Sequence, residues 1–208
     1  ANWRVIVTPA DADSVMGRGG IEDNHPEMYK HINFSSYGPT ADYRRKPNVC
    51  AYGKAAVANT SLGLEKAYGT SFSCPLVAGF AACAWQLNRN LTAMQMKDEI
   101  EKSADLYPYY DYAFGYGVPQ ASYFLNGGKT PHEPTFSIKN EENVITIKPN
   151  EVYEHNYLFY NIENELGQII YYEHITINDA EEIKITNANK YPHCKITVYY
   201  NGYIDSCS

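Results

Sequence analysis

The stretch "YGTSFSCPLVAGFAA", residues 68–82, sets a hydroxyl at a corner. Gly69, Thr70 and Ser71 read as a turn. The apolar, alanine-rich segment behind them reads as a helix running to about Asn88. A serine at a helix N-terminus projects from the turn and stands beside backbone N–H groups that have no helical partner. Those donors, the N–H of Ser71 itself among them, can stabilise an oxyanion formed when the serine oxygen attacks a carbonyl, so the chemistry on offer is acyl transfer. Gly69 lets a substrate pass without a side chain in the way. Pro75 is expected among the unpaired N–H positions of the first turn, where proline is tolerated, and Gly79 with the alanines is expected to let the helix pack closely inside a domain. Serine is also a favoured helix cap, and from these residues alone a capping role for Ser71 explains the pattern equally well.

A nucleophilic serine needs a base within hydrogen-bond reach in a fixed frame. His25 and His31 lie in "DNHPEMYKH", which reads as a surface loop, while His132, His155, His174 and His193 fall in a linker or in the strand-rich C-terminal part and read as surface or strand residues. No metal site is indicated, because Cys50, Cys74, Cys83, Cys194 and Cys207 follow no C-x-x-C or Cys/His zinc spacing. The first three read as small buried residues. Cys194 and Cys207 flank the last strand, where an exported protein could form a disulfide.

The elements that must hold Ser71 come from the rest of the 208 residues, long enough for one large domain or two small ones. With 44% hydrophobic and 20% charged residues the chain belongs with soluble globular proteins, and its net charge of -7 with no basic block excludes a nucleic-acid partner. No apolar run reaches the ~20 residues needed to span a bilayer. The opening "ANWRVIVTPADAD" has neither a methionine nor a signal-peptide pattern and reads as the interior of a domain, so a fragment is expected.

Composition changes at "NGGKTPHEPTF", residues 126–136, whose glycines and prolines read as a linker. The expected domains are therefore 1–128 and 129–208. In the first, a second helix follows "LTAMQMKDEIEKSA", with Thr92 and Gln95 at capping-box spacing, Leu91 and Met96 placed as a hydrophobic staple, and Ala93, Met96 and Ile100 as the apolar stripe. In the second, six runs ("TFSIKN", "NVITIKP", "NYLFYNIEN", "QIIYYEHITI", "EIKITN" and "CKITVYYNGYI") read as short strands of a small antiparallel β-sandwich. Tyrosine is unusually abundant, 20 residues, clustered in "LYPYYDYAFGY" and in the C-terminal third. Such residues serve as polymer- or protein-binding surface or as ordinary half-buried strand positions.

Several blocks, in order, resemble the subtilisin-like serine proteases, the subtilases. "GTSFSCPLVAG", Gly69 to Gly79, is similar to the nucleophile motif, Gly-Thr-Ser followed by Pro-x-Val-Ala-Gly. "FSSYGP" (34–39) resembles the Phe-Ser-Ser-x-Gly-Pro turn, "KPNVCAYG" (46–53) the Lys-Pro-Asp-Val-x-Ala-x-Gly strand and turn, and "PADADSV" (9–15) the stretch leading into the preceding core strand. "LTAMQMKDEIEKSA" (91–104) resembles the Thr-x-x-Gln helix and "FGYGVPQA" (114–121) the entry to the last helix. One departure stands out. In "VMGRGGI", residues 15–21, Arg18 occupies a strand that is apolar in the family, so either the strand ends early or the arginine reaches outward.

The resemblance implies the C-terminal half of an α/β parallel-sheet subtilase catalytic domain, followed by the β-sandwich. It implies a serine endopeptidase that cleaves peptide bonds of peptide or protein substrates through an acyl-enzyme, with Ser71 as nucleophile, its own backbone N–H in the oxyanion hole, and no metal or organic cofactor. The Asp, His and oxyanion Asn of the family are expected upstream of this chain. The chain alone is then expected to be inactive, to expose apolar surface, and to fold stably only beside the N-terminal half of the domain. An extracytoplasmic location is implied too. The rival reading is a non-catalytic pseudoprotease or binding protein that uses the tyrosine-rich β-domain for protein or glycan contacts.

Overall fold

A computed structural model describes residues 5–24, 28–59, 61, 63–128, 133–141, 144–185 and 193–208; His25 and His132 lie outside them. The chain divides into two compact units, Ala1–Lys129 and Thr130–Ser208.

In the first unit a three-stranded sheet has the order β2-β1-β3, with β1 Arg18–Glu22, β2 Lys30–His31 and β3 Val49–Tyr52. The parallel sheet expected here is present as a single parallel pair, β1 with β3, in the register Arg18 to Val49 through Ile21 to Tyr52; β2 runs antiparallel to β1. Ahead of β1, residues 8–14 form turns, with one parallel bridge from Ile6 to Thr40. Pro9, Asp11 and Asp13 are poor strand formers, which accounts for the turns. A separate antiparallel hairpin, β4 Lys54–Asn59 and β5 Gly63–Tyr68, delivers the chain to the first helix.

Helix α1, Thr70–Leu87, packs Val77 and Ala84 against Val49 and Ala51 of β3 and against Met96 and Ile100 of α2, Ala93–Ser103. The capping box of α2 is formed: the Gln95 N–H donates to Thr92 Oγ1 at 3.3 Å and the Thr92 N–H to Gln95 Oε1 at 2.9 Å. Met96 is buried and Leu91 packs on the same cluster, as the staple spacing requires. A third helix, α3 Ala121–Leu125, has only five residues.

The second unit contains two antiparallel sheets. One has the order β10-β7-β6, from β6 Phe136–Glu141, β7 Val144–Pro149 and β10 Ile183–Ile185. The other has the order β12-β11-β8-β9, from β8 Tyr157–Glu163, β9 Ile169–Thr176, β11 Lys195–Tyr200 and β12 Tyr203–Cys207. Ile145 and Ile147 from the first sheet share one core with Leu158, Ile162, Val198 and Tyr200 from the second. The run "CKITVYYNGYI", expected as one strand, is a hairpin. Asn201 (φ 45°) and Gly202 (φ 85°) turn the chain between β11 and β12, because both accept left-handed backbone that bulkier residues avoid. Cys194 and Cys207 thus border a hairpin, and all five cysteines are unbonded thiols.

Candidate functional site

Ser71 stands at a strand-to-helix corner: β5 ends at Tyr68, Gly69 is the N-cap, and Ser71 is the second residue of α1. Gly69 provides no side-chain cap and none is formed, so the helix leaves Ser71 exposed rather than using it as a cap. The Phe72 N–H turns back to the Gly69 carbonyl at 3.0 Å. Those of Thr70 and Ser71 remain among the donors that a helix start cannot pair internally. Pro75 is the sixth residue of α1, deeper than expected. A proline there removes the donor that would serve the carbonyl four residues back, which is that of Ser71 itself.

The corner is tied at two points to β3 and to the residue that follows it. The Gly69 N–H donates to the Gly53 carbonyl at 2.8 Å, and the fully buried Ser73 hydroxyl donates to the Ala51 carbonyl at 3.0 Å. Two glycines permit this approach. A Cβ on Gly53 would lie 3.1 Å from Ile32 Cδ1 and 3.4 Å from the Gly69 carbonyl oxygen, and one on Gly20 would lie 3.2 Å from Thr70 Cγ2. Gly20 is held in turn by Ser35, whose buried Oγ accepts its N–H at 2.9 Å. Asn48 Oδ1 accepts from the Gly17 N–H at 2.7 Å and from Lys46 Nζ at 2.9 Å, while its amide donates to Glu101 at 2.7 Å. The blocks "FSSYGP" and "KPNVCAYG" therefore serve to fix β1 and β3 beneath the corner. Ser73, Gly20 and Ser35 were not legible as positioning residues. Only their small size, next to a motif, hints at close packing.

The histidines are dispersed. His31 is in β2 rather than a loop; its ring stacks on Tyr37 at 4.0 Å and meets Phe114 edge-on at 6.3 Å. Burial pushes its pKa down to about 4, which keeps the imidazole neutral at pH 7. No hydrogen bond joins it to Ser71 among the described residues. His155 and His193 are exposed outside the strands, and His174 is on β9. Among the described residues no three His, Cys, Asp or Glu side chains gather where a metal ion could sit.

Cys50 is buried as expected, but Cys74 and Cys83 are exposed on α1. Gly79 is uncovered too: a Cβ there would meet nothing within 4 Å. Both corrections have one cause, that the outer face of α1 has no neighbour among the described residues. Tyrosines of the second unit enter its core. Tyr200 is fully buried with its hydroxyl donating to the Glu151 carbonyl at 3.3 Å, and Tyr160 donates to Glu173 at 2.7 Å. Near "LYPYYDYAFGY" the Tyr29 hydroxyl lies 3.1 Å from both Asp105 carboxylate oxygens.

The sequence profile of the subtilase family matches residues 3–117. The serine protease AprX of Bacillus subtilis (strain 168) is 28% identical over 120 residues, an alignment covering 49% of this chain and 27% of AprX. The chain thus spans about a quarter of the length of that curated relative. Among solved structures, sphericase superposes with a TM-score of 0.46 at 22% identity, covering 56% of this chain and 43% of sphericase. Fervidolysin from Fervidobacterium pennivorans, described as a keratinolytic enzyme related to subtilisin, gives 0.48 at 18% identity over 92% of this chain and 29% of its own.

Proposed function

The chain belongs to the subtilase family, and on that premise we propose that it supplies the nucleophile half of a serine endopeptidase. Ser71 attacks the carbonyl of a peptide bond. A histidine from the remainder of the catalytic domain takes the Ser71 proton and later gives it to the leaving amine, and an aspartate from the same remainder orients that histidine. The N–H of Ser71 and an asparagine of the remainder hold the oxyanion. Water then releases the acyl group from Ser71. The observation that carries this reading is the exposed hydroxyl at the second position of α1, free of a capping role and fixed from below by the Ser73 bond to Ala51 of β3 and the Gly69 bond to Gly53, the residue after β3.

The described histidines offer Ser71 no base, so the chain by itself is inactive under this proposal. The domains are read as 1–128, catalytic, and 129–208, a β-sandwich appendage that stabilises the protease; the single core shared by its two sheets supports that reading. Among the described residues no helix is long and apolar enough to cross a membrane. An extracytoplasmic location belongs to the same proposal and rests on the family alone, since the cysteines are unbonded; fractionation of the source cells checks it. The proposal as a whole is tested by casein hydrolysis with the parent polypeptide and its Ser71→Ala variant. Complete loss in the variant, with an unchanged circular dichroism spectrum, is expected. Hydrolysis that survives Ser71→Ala, or an inert parent, overturns it, the second in favour of a non-catalytic binding role.

A further inference from the structure

The sequence holds two Asn-Gly pairs, Asn126–Gly127 and Asn201–Gly202. An asparagine followed by glycine can close on its own backbone, because glycine has no Cβ to shield the nitrogen that attacks. The two pairs stand in different frames. Asn201 and Gly202 turn the β11–β12 hairpin at left-handed φ of 45° and 85°, between Tyr200 and Tyr203, which pair across the ladder. Tyr200 is fully buried, so that turn moves only if the core of the second unit opens.

Asn126 and Gly127 end α3, a helix of five residues with none buried. Asn126 is the C-cap, with an ordinary φ of -100°, and both residues are exposed. The Asn126 N–H donates to the Ser122 carbonyl at 2.9 Å and the Gly128 N–H to the Tyr123 carbonyl at 2.9 Å. Between them the Gly127 N–H has no acceptor, and the Asn126 side chain no hydrogen bond, among the described residues. A Cβ on Gly127 would meet nothing within 4 Å, so its nitrogen is open to water and base.

We propose that Asn126 is a site of spontaneous deamidation and isoaspartate formation, and that the fold directs this chemistry to Asn126 and away from Asn201. The Gly127 nitrogen, deprotonated by hydroxide, attacks Cγ of Asn126. An N–Cγ bond forms, the Cγ–Nδ2 bond breaks, and Nδ2 leaves as ammonia with a proton taken from water. Water then adds to either carbonyl of the resulting cyclic succinimide. Opening at Cγ leaves aspartate, and opening at the main-chain carbonyl leaves isoaspartate. Water is the only co-reactant, and catalysis at Ser71 plays no part. The attack requires Asn126 to leave its near-helical ψ of 2°. That rotation gives up the Gly128 bond to Tyr123 but none at the attacking nitrogen, and so short a helix frays readily. Isoaspartate then routes the main chain through the side chain and sets a carboxylate beside the C-terminal carbonyls of α3, where negative charge is unfavourable. The last turn loosens close to Lys129, where the first unit ends.

The test incubates the parent polypeptide at neutral and mildly alkaline pH, with and without urea, and sequences its peptides by tandem mass spectrometry after digestion in acid. Isoaspartate is read separately, by methyl transfer from labelled S-adenosylmethionine with an isoaspartyl methyltransferase. Native samples are expected to deamidate at Asn126 and not at Asn201, and samples in urea at both. The native rate rises with pH, because the attacking nitrogen must lose its proton. Asn126→Gln, whose longer side chain closes the ring poorly, abolishes methylation of that peptide. Asn126 intact in the native samples, Asn201 reacting there as fast as Asn126, Asn201 inert in urea as well, or methylation undiminished in Asn126→Gln overturns the proposal.

Discussion

Replacing Asp111 by asparagine should remove most of a pH dependence that the first unit carries in its core. Asp111 is 2% exposed, and its Oδ1 accepts the N–H groups of Ala113 at 2.8 Å and Phe114 at 2.7 Å. Burial pushes its pKa up from 3.8 to about 7, against the opposing pull of those two donors. An unfolded chain releases this proton near pH 4, whereas the folded one holds it to near neutrality. The stability contributed is therefore fully present below about pH 4 and is lost as pH rises toward 7. At about 1.4 kcal/mol per pH unit, the window from 3.8 to about 7 amounts to about 4 kcal/mol. Asparagine stays neutral throughout, and its Oδ1 can keep both backbone bonds. Urea unfolding of the wild type and Asp111→Asn, measured at several values between pH 4 and 8, should give a difference near zero at pH 4 that grows in favour of the variant toward pH 8. His31, pushed down to about 4, titrates with the opposite sign and cancels in that difference, because both proteins contain it. A difference that stays constant across the range would refute the assignment of a raised pKa to Asp111.

Two further substitutions probe the frame of the corner. Ser73→Ala removes the buried bond to the Ala51 carbonyl and should cost about 1–3 kcal/mol in the same unfolding assay, with slower reaction at Ser71 as the corner loosens; unchanged stability would show that the tether is idle. Thr92→Ala breaks the capping box of α2 and should cost about 1 kcal/mol, while Thr92→Ser keeps it; equal losses in both would point to the methyl group instead.

The strand-to-helix corner and the capped α2 were legible because each is written in a few consecutive residues: Gly69 to Ser71 ahead of an apolar run, and Thr92 with Gln95 ahead of Met96. The hairpin at Asn201 and Gly202 is equally local, but it sits inside a continuous β-branched and aromatic run whose pattern outweighs the two turn residues. Other features depend on contacts distant in sequence. Ser73 can be assigned to Ala51 only when β3 lies beneath α1. The burial of Cys74, Cys83 and Gly79 follows from the apolar pattern of α1 only if something covers its outer face, and among the described residues nothing does. That Arg18, the half-buried first residue of β1, lines a cavity is invisible in a window around β1, because that cavity is made largely by α1 and α2.

The central claim is that Ser71 is a nucleophile in position but without its base. Fluorophosphonate labelling tests it, applied to this chain alone and to the parent polypeptide, with the adduct located by mass spectrometry. A Ser71 adduct in the parent and none in the isolated chain is the predicted result. Labelling at another residue of the parent, or none at all, would contradict the account.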